Sequence, residues 1–593
     1  MRTIAVLVVA LLPLGSWAAP VDTQALLDGL SLEHKIGQMH MIGYDGRALS
    51  EPMAGLIEEW GIGGFFLQFP ENFEDPKDCA RVVNLLQKAA TESPAGIPLL
   101  FSMDEEGGVG VMIRYEQGAV CTPGNMALGA SGREEDAYAA YNALGTDMRA
   151  CGVTVNFAPA IDVLYNPNNP DYTVRAFSGD IFLNATMAAG AVRGLQDASV
   201  IAAAKHWPGL AHYGADTHYS SPHIAVPDSV LRQGDLAHFR AAIRAGTDMI
   251  MTHMVYIDEW DPNNVVTLSP VLLQKMLRED LGFDGVVVTD SMSMTSILNI
   301  APIGEATVRA ILAGCDIILQ VSRSVDDIVT RMEAVRSAVE RGRIPMARID
   351  ESVRRILCAK AKYGLFADPY ADIENFESNF GQPAHVEANR RAARNGVVIV
   401  RDRGHLLPLP KAAGKRYLVV SPTPVIARAG KPPGWDAPLG ATLGEFVAAV
   451  IPEAKIEEVN TLPTYEDQER ILRAARGADI IIGYALLARF SPMQFDLISK
   501  LLSLGKPTVI IGLGDPSDMA FFPEVGTFVA ANSPAPVSME AAVHVVFGDA
   551  EPGGRLPMPI GALYPIGHAL PQNGVQRSAL ARRGGLGEST KKE

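Results

Sequence analysis

The sequence predicts an α/β protein with two folded domains, an N-terminal (β/α)8 TIM-type barrel followed by a smaller α/β sandwich domain. Three observations predict this fold class. The chain of 593 residues is too long for one ordinary core. Short apolar runs alternate with helix-like stretches between residues 36 and 325. A second set of apolar runs follows a stretch in which Asp, Asn, Pro and Gly accumulate.

Eight apolar runs predict the strands of the barrel. They lie at residues 40–45, 64–69, 99–104, 154–163, 200–207, 249–256, 285–290 and 316–321. Apolar runs that end in polar or charged residues are typical of strands in a parallel barrel. Because the catalytic groups of such barrels lie at the carboxyl ends of the strands, the polar residues that finish these runs are candidate site residues.

Changes in composition predict where the domains begin and end. The expected segments are a signal peptide at 1–19, the barrel at 20–370, a linker at 371–390, the second domain at 391–570 and a disordered tail at 571–593. Fully apolar runs at 396–401, 416–421, 479–484 and 508–512 predict a smaller open α/β sheet in the second domain. The tail lacks any apolar period, which is typical of disorder.

The first residues predict an export signal. Arg2 supplies a positive end, residues 4–14 are almost wholly apolar, and Ser16 and Ala18 are small residues suited to a cleavage site. The alternative is an N-terminal membrane anchor, but this apolar run is shorter than the roughly twenty residues that a spanning helix needs. No later segment qualifies as a span. We therefore expect a periplasmic or secreted protein.

The composition excludes several classes of protein. Hydrophobic residues make up 48% and charged residues 20%, which is typical of a soluble globular chain. The formal net charge of −16 disfavours a nucleic-acid or anionic-lipid partner. Five cysteines lie without C-x-x-C spacing, so that small core residues are expected rather than a zinc site or a disulfide framework. No metal and no cofactor are predicted, and the oligomeric state is left open.

The densest polar segment follows the fifth predicted strand. It reads K-H-W-P-G from Lys205, and it continues to an Asp-Thr-His sequence at 216–218. A histidine transfers protons near neutral pH, and a neighbouring carboxylate such as Asp216 would orient the ring of His218 and favour its charged form. Taken alone, a D-x-H pair on a loop is weak evidence for catalysis and favours a structural or metal-binding role.

Asp290 ends the seventh predicted strand, in the sequence G-V-V-V-T-D. A carboxylate at this position can attack an anomeric carbon and form a glycosyl ester. An aspartate at a strand end is equally often the N-cap of the following helix.

Together these motifs resemble glycoside hydrolase family 3, and specifically its β-N-acetylglucosaminidase branch. That branch typically shows K-H-F-P-G-H-G-D-T-x-x-D-S-H, and residues 205–218 align with it without a gap. The family motif S-D-x-x-S-M is similar to T-D-S-M-S-M from residue 289. The resemblance implies that Asp290 is the nucleophile, that His218 is the acid/base, and that Asp216 is the partner of His218.

Further stretches resemble the family in the same order along the chain. They are G-G-F-F-L-Q-F from residue 63, M-D-E-E-G-G from 103, N-F-A-P-A-I-D-V from 156, R-A-F from 175 and T-H from 252. The resemblance implies a substrate-binding set of Asp104, Arg175, Lys205, His206 and His253. Each of these has an ordinary structural alternative, such as a turn cap, an ion pair or a core histidine. Matches in the second domain, including G-G-R-L-P from 553, extend the resemblance to residues 25–565.

Two departures from the family pattern affect the expected substrate. The family has arginines where this chain has Val109 and Met112, although Arg114 lies nearby. Its H-G-D-T is replaced by L-A-H-Y at 210–213. Such changes alter which sugar ring or substituent fits, whereas the dyad and the nucleophile are intact.

The leading hypothesis is a retaining, exo-acting β-N-acetylglucosaminidase that acts on chitin- or peptidoglycan-derived sugars. Its partner is then a glycan or oligosaccharide. The alternatives are a β-glucosidase or β-xylosidase of the same family, a phosphorylase, since a histidine repels phosphate less than a carboxylate does, and a catalytically silent carbohydrate-binding protein.

Overall fold

Eight parallel strands form a barrel in the computed structural model, which describes residues 21–108, 113–209, 211–230, 236–411, 414–426 and 437–571. The barrel strands are β1 (His40–Gly43), β2 (Gly64–Phe66), β3 (Leu100–Met103), β4 (Val155–Asn156), β5 (Ile201–Trp207), β7 (Met249–Thr252), β10 (Val286–Val288) and β11 (Ile318–Gln320). Neighbours pair in parallel in the order β10, β7, β5, β4, β3, β2, β1, β11, and a bridge between Val288 and Ile317 joins the two ends. The predicted barrel is confirmed.

Helices surround the barrel strands and connect them. They are α1 (Thr23–Gly29), α2 (Leu32–Gln38), α3 (Glu51–Trp60), α4 (Pro76–Glu92), α5 (Asn125–Ser131), α6 (Glu134–Ala150), α7 (Ile181–Asp197), α8 (Asp228–Val230), α9 (Ala237–Arg244), a π-helix (Val271–Asp280), α10 (Thr295–Leu298), α11 (Ile303–Ala313), α12 (Val325–Glu340) and α13 (Met346–Lys362). Local chemistry determines where they begin. For α7, the Asp180 side chain accepts hydrogen bonds from the backbone N–H groups of Phe182 and Leu183, which a helix start otherwise leaves without partners.

Two long connections rise above the carboxyl ends of β4 and β5. The first, residues 164–175, is called here the strand-four loop. The second includes residues 211–222, which are called the Asp-His loop because they contain Asp216 and His218. Beyond that loop, β6 (His223–Ile224), β8 (Tyr256–Ile257) and β9 (Asp261–Val265) form a small separate sheet.

The second domain is built on a six-stranded sheet. After α14 (Phe376–Asn379) and α15 (Pro383–Gly396) come β12 (Val398–Asp402), β13 (Tyr417–Pro422), β14 (Val425–Ile426), β15 (Ala437–Pro438), α16 (Leu443–Val450), β16 (Lys455–Val459), α17 (Tyr465–Gly477), β17 (Ile480–Ala485), α18 (Pro492–Ser503), β18 (Thr508–Gly512), β19 (Thr527–Ala530) and α19 (Pro536–Val546). The sheet order is β12, β19, β18, β17, β13, β16, with only the β12–β19 pair antiparallel. All four apolar runs predicted as strands contain strands of this sheet. The segment predicted as a linker contains α14 and the start of α15.

One contact between the two domains is made at the strand-four loop. Arg489, which follows β17, donates hydrogen bonds to the carbonyl oxygen of Pro167 from Nε at 3.2 Å and from Nη2 at 2.8 Å. The same guanidinium is paired with Asp515 at 2.6 Å and with Asp518 at 2.8 Å, and all three side chains are buried. The second domain is therefore attached by a buried cation to the strand-four loop of the barrel.

Several sequence expectations concern other parts of the molecule. Cys79, Cys151 and Cys315 are buried, Cys121 is half-buried and Cys358 is exposed, and none of the five forms a disulfide. Within the described ranges, no helix has the length and apolarity required to cross a bilayer. The predicted signal peptide at 1–19 and residues 572–593 of the predicted tail lie outside the described residues.

Candidate active site

The predicted site residues lie at the carboxyl ends of the barrel strands. Asp104 follows β3 directly, Lys205 and His206 belong to the end of β5, His253 follows β7, and Asp290 lies two residues beyond β10. Because the strands are parallel, these ends meet at one face of the barrel, where catalytic groups of such barrels are found.

A network of four charged side chains forms one part of the site. The Nζ atom of Lys205 lies 2.6 Å from Asp104 Oδ1 and 2.7 Å from Glu106 Oε1. Arg175 binds Glu106 with two hydrogen bonds, from Nε at 2.7 Å and from Nη2 at 2.8 Å. Glu106 thus joins Lys205 to Arg175, and this fork geometry fixes the orientation of both cations.

Burial and mutual attraction oppose each other within this network. Burial disfavours the charged form of Glu106, but the adjacent Arg175 and Lys205 charges outweigh it and hold the pKa of Glu106 well below its usual value. Burial likewise acts against the charge of Lys205, while Asp104 and Glu106 raise the pKa of that amine. Glu106 and Lys205 are therefore both charged near neutral pH.

A second cluster holds His206 and His253 among tyrosines. Asp162 Oδ2 accepts hydrogen bonds at 3.0 Å from both the backbone N–H and Nδ1 of His206. The Tyr172 hydroxyl lies 3.0 Å from His206 Nδ1 and 3.3 Å from His253 Nε2, and the Tyr213 hydroxyl lies 2.6 Å from the same His253 nitrogen. These contacts give His206 a proton on Nδ1, which leaves its Nε2 as an acceptor.

The two histidines of this cluster are neutral near pH 7. Burial lowers the pKa of His206 to about 3, and the nearby Lys205 charge acts in the same direction while the charge of Asp290 opposes it. Burial also lowers the pKa of His253 to about 3, with a smaller contribution from His206. Both rings can serve as hydrogen-bonding groups, but neither gains a proton at the pH of ordinary assays.

Asp216 and His218 form the predicted dyad. Asp216 Oδ1 accepts a hydrogen bond from His218 Nδ1 at 2.6 Å and another from the backbone N–H of His218 at 3.0 Å. The short two-residue spacing allows one carboxylate oxygen to hold both groups at once. The side chain of His218 remains 36% exposed, so the ring is oriented by Asp216 and is still accessible from outside.

Asp290 is held by its own turn. Its Oδ1 accepts a hydrogen bond from the backbone N–H of Ser291 at 2.6 Å. The next helix, α10, begins at Thr295 with Met294 as its N-cap, so Asp290 is not the N-cap of that helix. The alternative role that the sequence left open for this carboxylate is thereby excluded.

Asp171, on the strand-four loop, connects the charged network to the dyad. Its Oδ1 pairs with Arg175 Nη1 at 3.1 Å, and its Oδ2 accepts a hydrogen bond from the Thr217 hydroxyl at 3.3 Å. One ligand atom from each of Asp171, Asp216 and His218 lies within 4.8 Å of the others, a spacing that would also suit a cation. Asp171 thus joins the charged network to the dyad, while Asp290 lies at the same face of the barrel.

The comparison with family models decides what kind of protein this is. The model of the glycosyl hydrolase family 3 N-terminal domain matches residues 31–359, and that of the family's C-terminal domain matches residues 397–575. The chain belongs to glycosyl hydrolase family 3. It is a glycoside hydrolase that acts on glycans, and the resemblance inferred from its motifs is confirmed.

Individual members of family 3 are similar over much of the chain. Beta-hexosaminidase A of Pseudoalteromonas piscicida is 31% identical to this chain. The aligned region covers 63% of this chain and 64% of that relative's length. The beta-N-acetylglucosaminidase/beta-glucosidase of Cellulomonas fimi is 28% identical over 81% of this chain and 86% of its own. The solved structure of a family 3 beta-N-acetylglucosaminidase from Paenibacillus sp. str. FPU-7 has a TM-score of 0.81 at 32% identity, covering 90% of this chain and 99% of that one.

Only some of the positions that depart from the family 3 pattern belong to the described residues. Val109, Met112 and Leu210 lie outside them. The Arg114 guanidinium lies 4.9 Å from the ring centre of Phe69, in a cation–π contact.

Two of the three replaced positions at 211–213 make specific side-chain contacts. His212 stacks on Tyr165 with 4.3 Å between the ring centres. Tyr213 fills the position of a family threonine and bonds to His253.

Sequence reasoning missed several residues of this site. Glu106, Asp162, Asp171, Tyr172 and Tyr213 make its central hydrogen bonds, yet none of them was predicted as a site residue. Glu106 and Asp162 lie inside motifs that resemble the family, M-D-E-E-G-G and N-F-A-P-A-I-D-V, and this signal could have identified them. Asp171 and Tyr172 lie in a stretch for which the sequence offers no comparable signal.

Proposed function

We propose that this family 3 glycosidase is a retaining, exo-acting β-N-acetylglucosaminidase that releases terminal GlcNAc from chitin- or peptidoglycan-derived sugars. The observation that carries the proposal is the Asp216–His218 dyad, which is held together at 2.6 Å on a loop of the barrel. Relatives and a similar structure that bear beta-hexosaminidase or beta-N-acetylglucosaminidase names support it. The export-like segment at 1–19 supports action in the periplasm or outside the cell.

In the first step, an Asp290 oxygen attacks the anomeric carbon as the bond to the leaving oxygen breaks. His218 Nε2–H donates its proton to that leaving oxygen, so the aglycone departs neutral. His218 keeps its Nδ1 proton, which it donates in a hydrogen bond to Asp216, and that carboxylate stabilises the charged ring before transfer. The product of this step is a glycosyl ester on Asp290 and a neutral His218.

In the second step, neutral His218 acts as a base. Its Nε2 takes a proton from a water molecule whose oxygen attacks the anomeric carbon, and the ester bond to Asp290 breaks. The sugar is released with its original anomeric configuration, because two inversions have occurred. His218 ends protonated, ready for the next turnover.

The charged network supplies the contacts that would hold the terminal sugar. Lys205 and Arg175 offer N–H donors whose direction Glu106 fixes, and the carboxylate of Asp104 accepts from hydroxyls. His206, neutral and bonded to Asp162, adds an acceptor. Preorganised donors and acceptors of this kind favour a single orientation of the sugar over the nucleophile.

The test compares kcat/KM for p-nitrophenyl β-GlcNAc and p-nitrophenyl β-glucoside, each with and without inorganic phosphate. We expect a clear preference for the GlcNAc substrate and no dependence on phosphate. A preference for the glucoside would favour the second candidate, a β-glucosidase, which the double name of the Cellulomonas relative supports. Turnover that requires phosphate would indicate a phosphorylase, and no turnover of either substrate would contradict the enzyme proposed.

A further inference from the structure

The strand-four loop supports the Asp-His loop along much of its length. The backbone N–H of Asn166 donates to the carbonyl of Ala211 at 3.3 Å, and Asn169 Nδ2 donates to the carbonyl of Tyr213 at 3.0 Å. The stacked rings of Tyr165 and His212 add an apolar contact. The strand-four loop thus binds the first half of the Asp-His loop through that half's backbone carbonyls. It contacts the half that bears Asp216 and His218 through one of its own side chains.

That side chain is Asp171. It is 5% exposed, and its two carboxylate oxygens point in different directions. One oxygen binds Arg175 of the sugar-binding network at 3.1 Å, and the other accepts from the hydroxyl of Thr217 at 3.3 Å. Thr217 is 2% exposed and lies between the two members of the dyad. Asp171 therefore spans the distance between the network that would hold the sugar and the loop that carries the proposed acid/base.

We propose that Asp171 is a positioning residue that determines the distance between the acid/base, His218, and the bound sugar. It does so by linking Arg175 to Thr217, so that the placement of His218 depends on the placement of the sugar-binding guanidinium. The inference rests on the proposed function, because it takes His218 to be the proton donor. It goes beyond that function in giving a role to a residue that does not itself transfer a proton.

Geometry makes such a link consequential for proton transfer. A donor must lie within about 2.6–3.2 Å of the atom that it protonates, and a positioned general acid contributes roughly 10²- to 10⁴-fold to rate. The polypeptide between Pro208 and His223 contains no helix or strand within its described residues, so the dyad depends on contacts of this kind for its position. A displacement of the loop by a fraction of a hydrogen-bond length would slow proton transfer from His218 more than it would reduce the affinity for the sugar.

Leaving groups of different basicity isolate this effect. A 2,4-dinitrophenyl glycoside has a good leaving group that departs without a proton, whereas an unsubstituted phenyl glycoside needs the acid. We expect Asp171→Asn and Thr217→Val to lower kcat/KM on the phenyl substrate by about 10- to 100-fold, within the range that a general acid contributes. On the dinitrophenyl substrate, kcat/KM should change by less than about threefold, because it reports the first step, which then requires no proton from His218.

Matched variants control the experiment. Thr217→Ser keeps the hydroxyl and should retain wild-type selectivity between the two leaving groups. Asp147→Asn alters another buried carboxylate, which accepts hydrogen bonds from the backbone of Val120 and Gly381, and should not change that selectivity. In a His218→Ala background, Asp171→Asn should add no further loss on the phenyl substrate, because the acid it positions is already absent.

Three outcomes would overturn the proposal. Equal losses on both leaving groups would make Asp171 a sugar-binding or folding residue, and a loss that persists in the His218→Ala background would separate it from the acid. Activity of the wild-type enzyme that EDTA abolishes and Zn²⁺ restores would make Asp171, Asp216 and His218 a metal site. The sugar in all substrates is the one that the wild-type enzyme hydrolyses, so a failure of the GlcNAc assignment leaves this test intact.

Discussion

Asp290 is the proposed nucleophile of the reaction. It follows a fully buried strand and is oriented by the Ser291 backbone N–H. We predict that Asp290→Ala reduces kcat by at least about 10⁴-fold, because the ester intermediate cannot form without the carboxylate. A 2-fluoro glycoside with a good leaving group should label the peptide that contains Asp290, as detected by mass spectrometry.

Asp284 provides a control on the same segment of chain. It precedes β10 at the opposite end of the strand, and its side chain is 91% exposed. Asp284→Ala should keep kcat within about twofold of wild type, since exposed substitutions away from a site are usually mild. A label on another peptide, or an active Asp290→Ala enzyme, would disprove the assignment of the nucleophile.

At the scale of residues, the sequence identifies the proposed reacting groups better than it identifies the residues that hold those groups in position. Asp290, His218 and Lys205 could be identified because they lie in motifs that resemble those of the family, whereas residue type and position alone left structural alternatives open. Asp171 and Tyr172 could not, since their roles arise from contacts with Thr217 and the two histidines that only folding creates. A carboxylate that positions a loop has the same local sequence signature as one that faces solvent.

At the scale of elements, apolar runs predict the eight barrel strands and four of the six strands in the sheet of the second domain, and they miss β16 and β19. The predicted strands are buried, apart from Asp402 at the end of β12, and burial on both faces produces continuous apolar runs. The missed β19 is also buried but contains only the four residues T-F-V-A. The strand β16, with the sequence K-I-E-E-V, lies at the edge of its sheet and mixes exposed and buried positions. Its charges resemble those of a surface helix, so the run-based criterion passes over it.

The last barrel helix, α13, is tied to the first part of the barrel by a buried lysine. Lys360 is fully buried and donates to Gln38 Oε1 at 2.7 Å and to the Gly63 carbonyl at 3.0 Å. Burial lowers the pKa of Lys360 from its usual 10.5 to about 7. Two acceptors match the two N–H groups of a neutral amine, so the contact suits the uncharged form.

This lysine predicts a pH-dependent stability. Below pH 7 the amine is charged in both the folded and the unfolded chain, and the cost of burying that charge is present in full. Between about pH 7 and 10.5 the folded amine is neutral while the unfolded one is protonated, so stability rises by up to about 1.4 kcal/mol per pH unit. The free energy of unfolding of wild type, relative to Lys360→Met, should therefore increase between pH 6.5 and pH 8.5.

Urea denaturation at the two pH values measures this difference. Lys362→Met serves as the control, because Lys362 lies on the same helix with its side chain 55% exposed. Equal changes in the free energy of unfolding of wild type and of Lys360→Met across this pH range would show that the buried amine does not change its protonation.

At the scale of the whole molecule, the barrel contains all of the proposed catalytic residues, and the second domain contacts them indirectly. Arg489 binds the Pro167 carbonyl of the strand-four loop, and its charge is balanced by Asp515 and Asp518. We predict that Arg489→Met lowers the free energy of unfolding by about 3–5 kcal/mol, because it leaves two buried carboxylates without their cation. Thermal and urea denaturation would measure the loss.

The exposed pair of Arg416 and Asp479 gives the comparison. Arg416 is 69% exposed, so Arg416→Met should lower the free energy of unfolding much less than Arg489→Met does. Replacing both carboxylates by Asn in the Arg489→Met chain should recover part of the stability, since the unpaired charges are then removed. A cost for Arg489→Met no larger than that for Arg416→Met would contradict the buried-cation account.

The contact between Arg489 and Pro167 also constrains which substitutions the protein can accept during evolution. The arginine and its two aspartates form one charge-balanced set, and the arginine also binds a backbone carbonyl of the strand-four loop, so that a change at one of these positions depends on the others. A chimera whose second domain lacks this arginine would keep every proposed catalytic residue and still lose this contact to the strand-four loop. Recombination between members is therefore expected to succeed where the exchanged segment carries both partners of this contact.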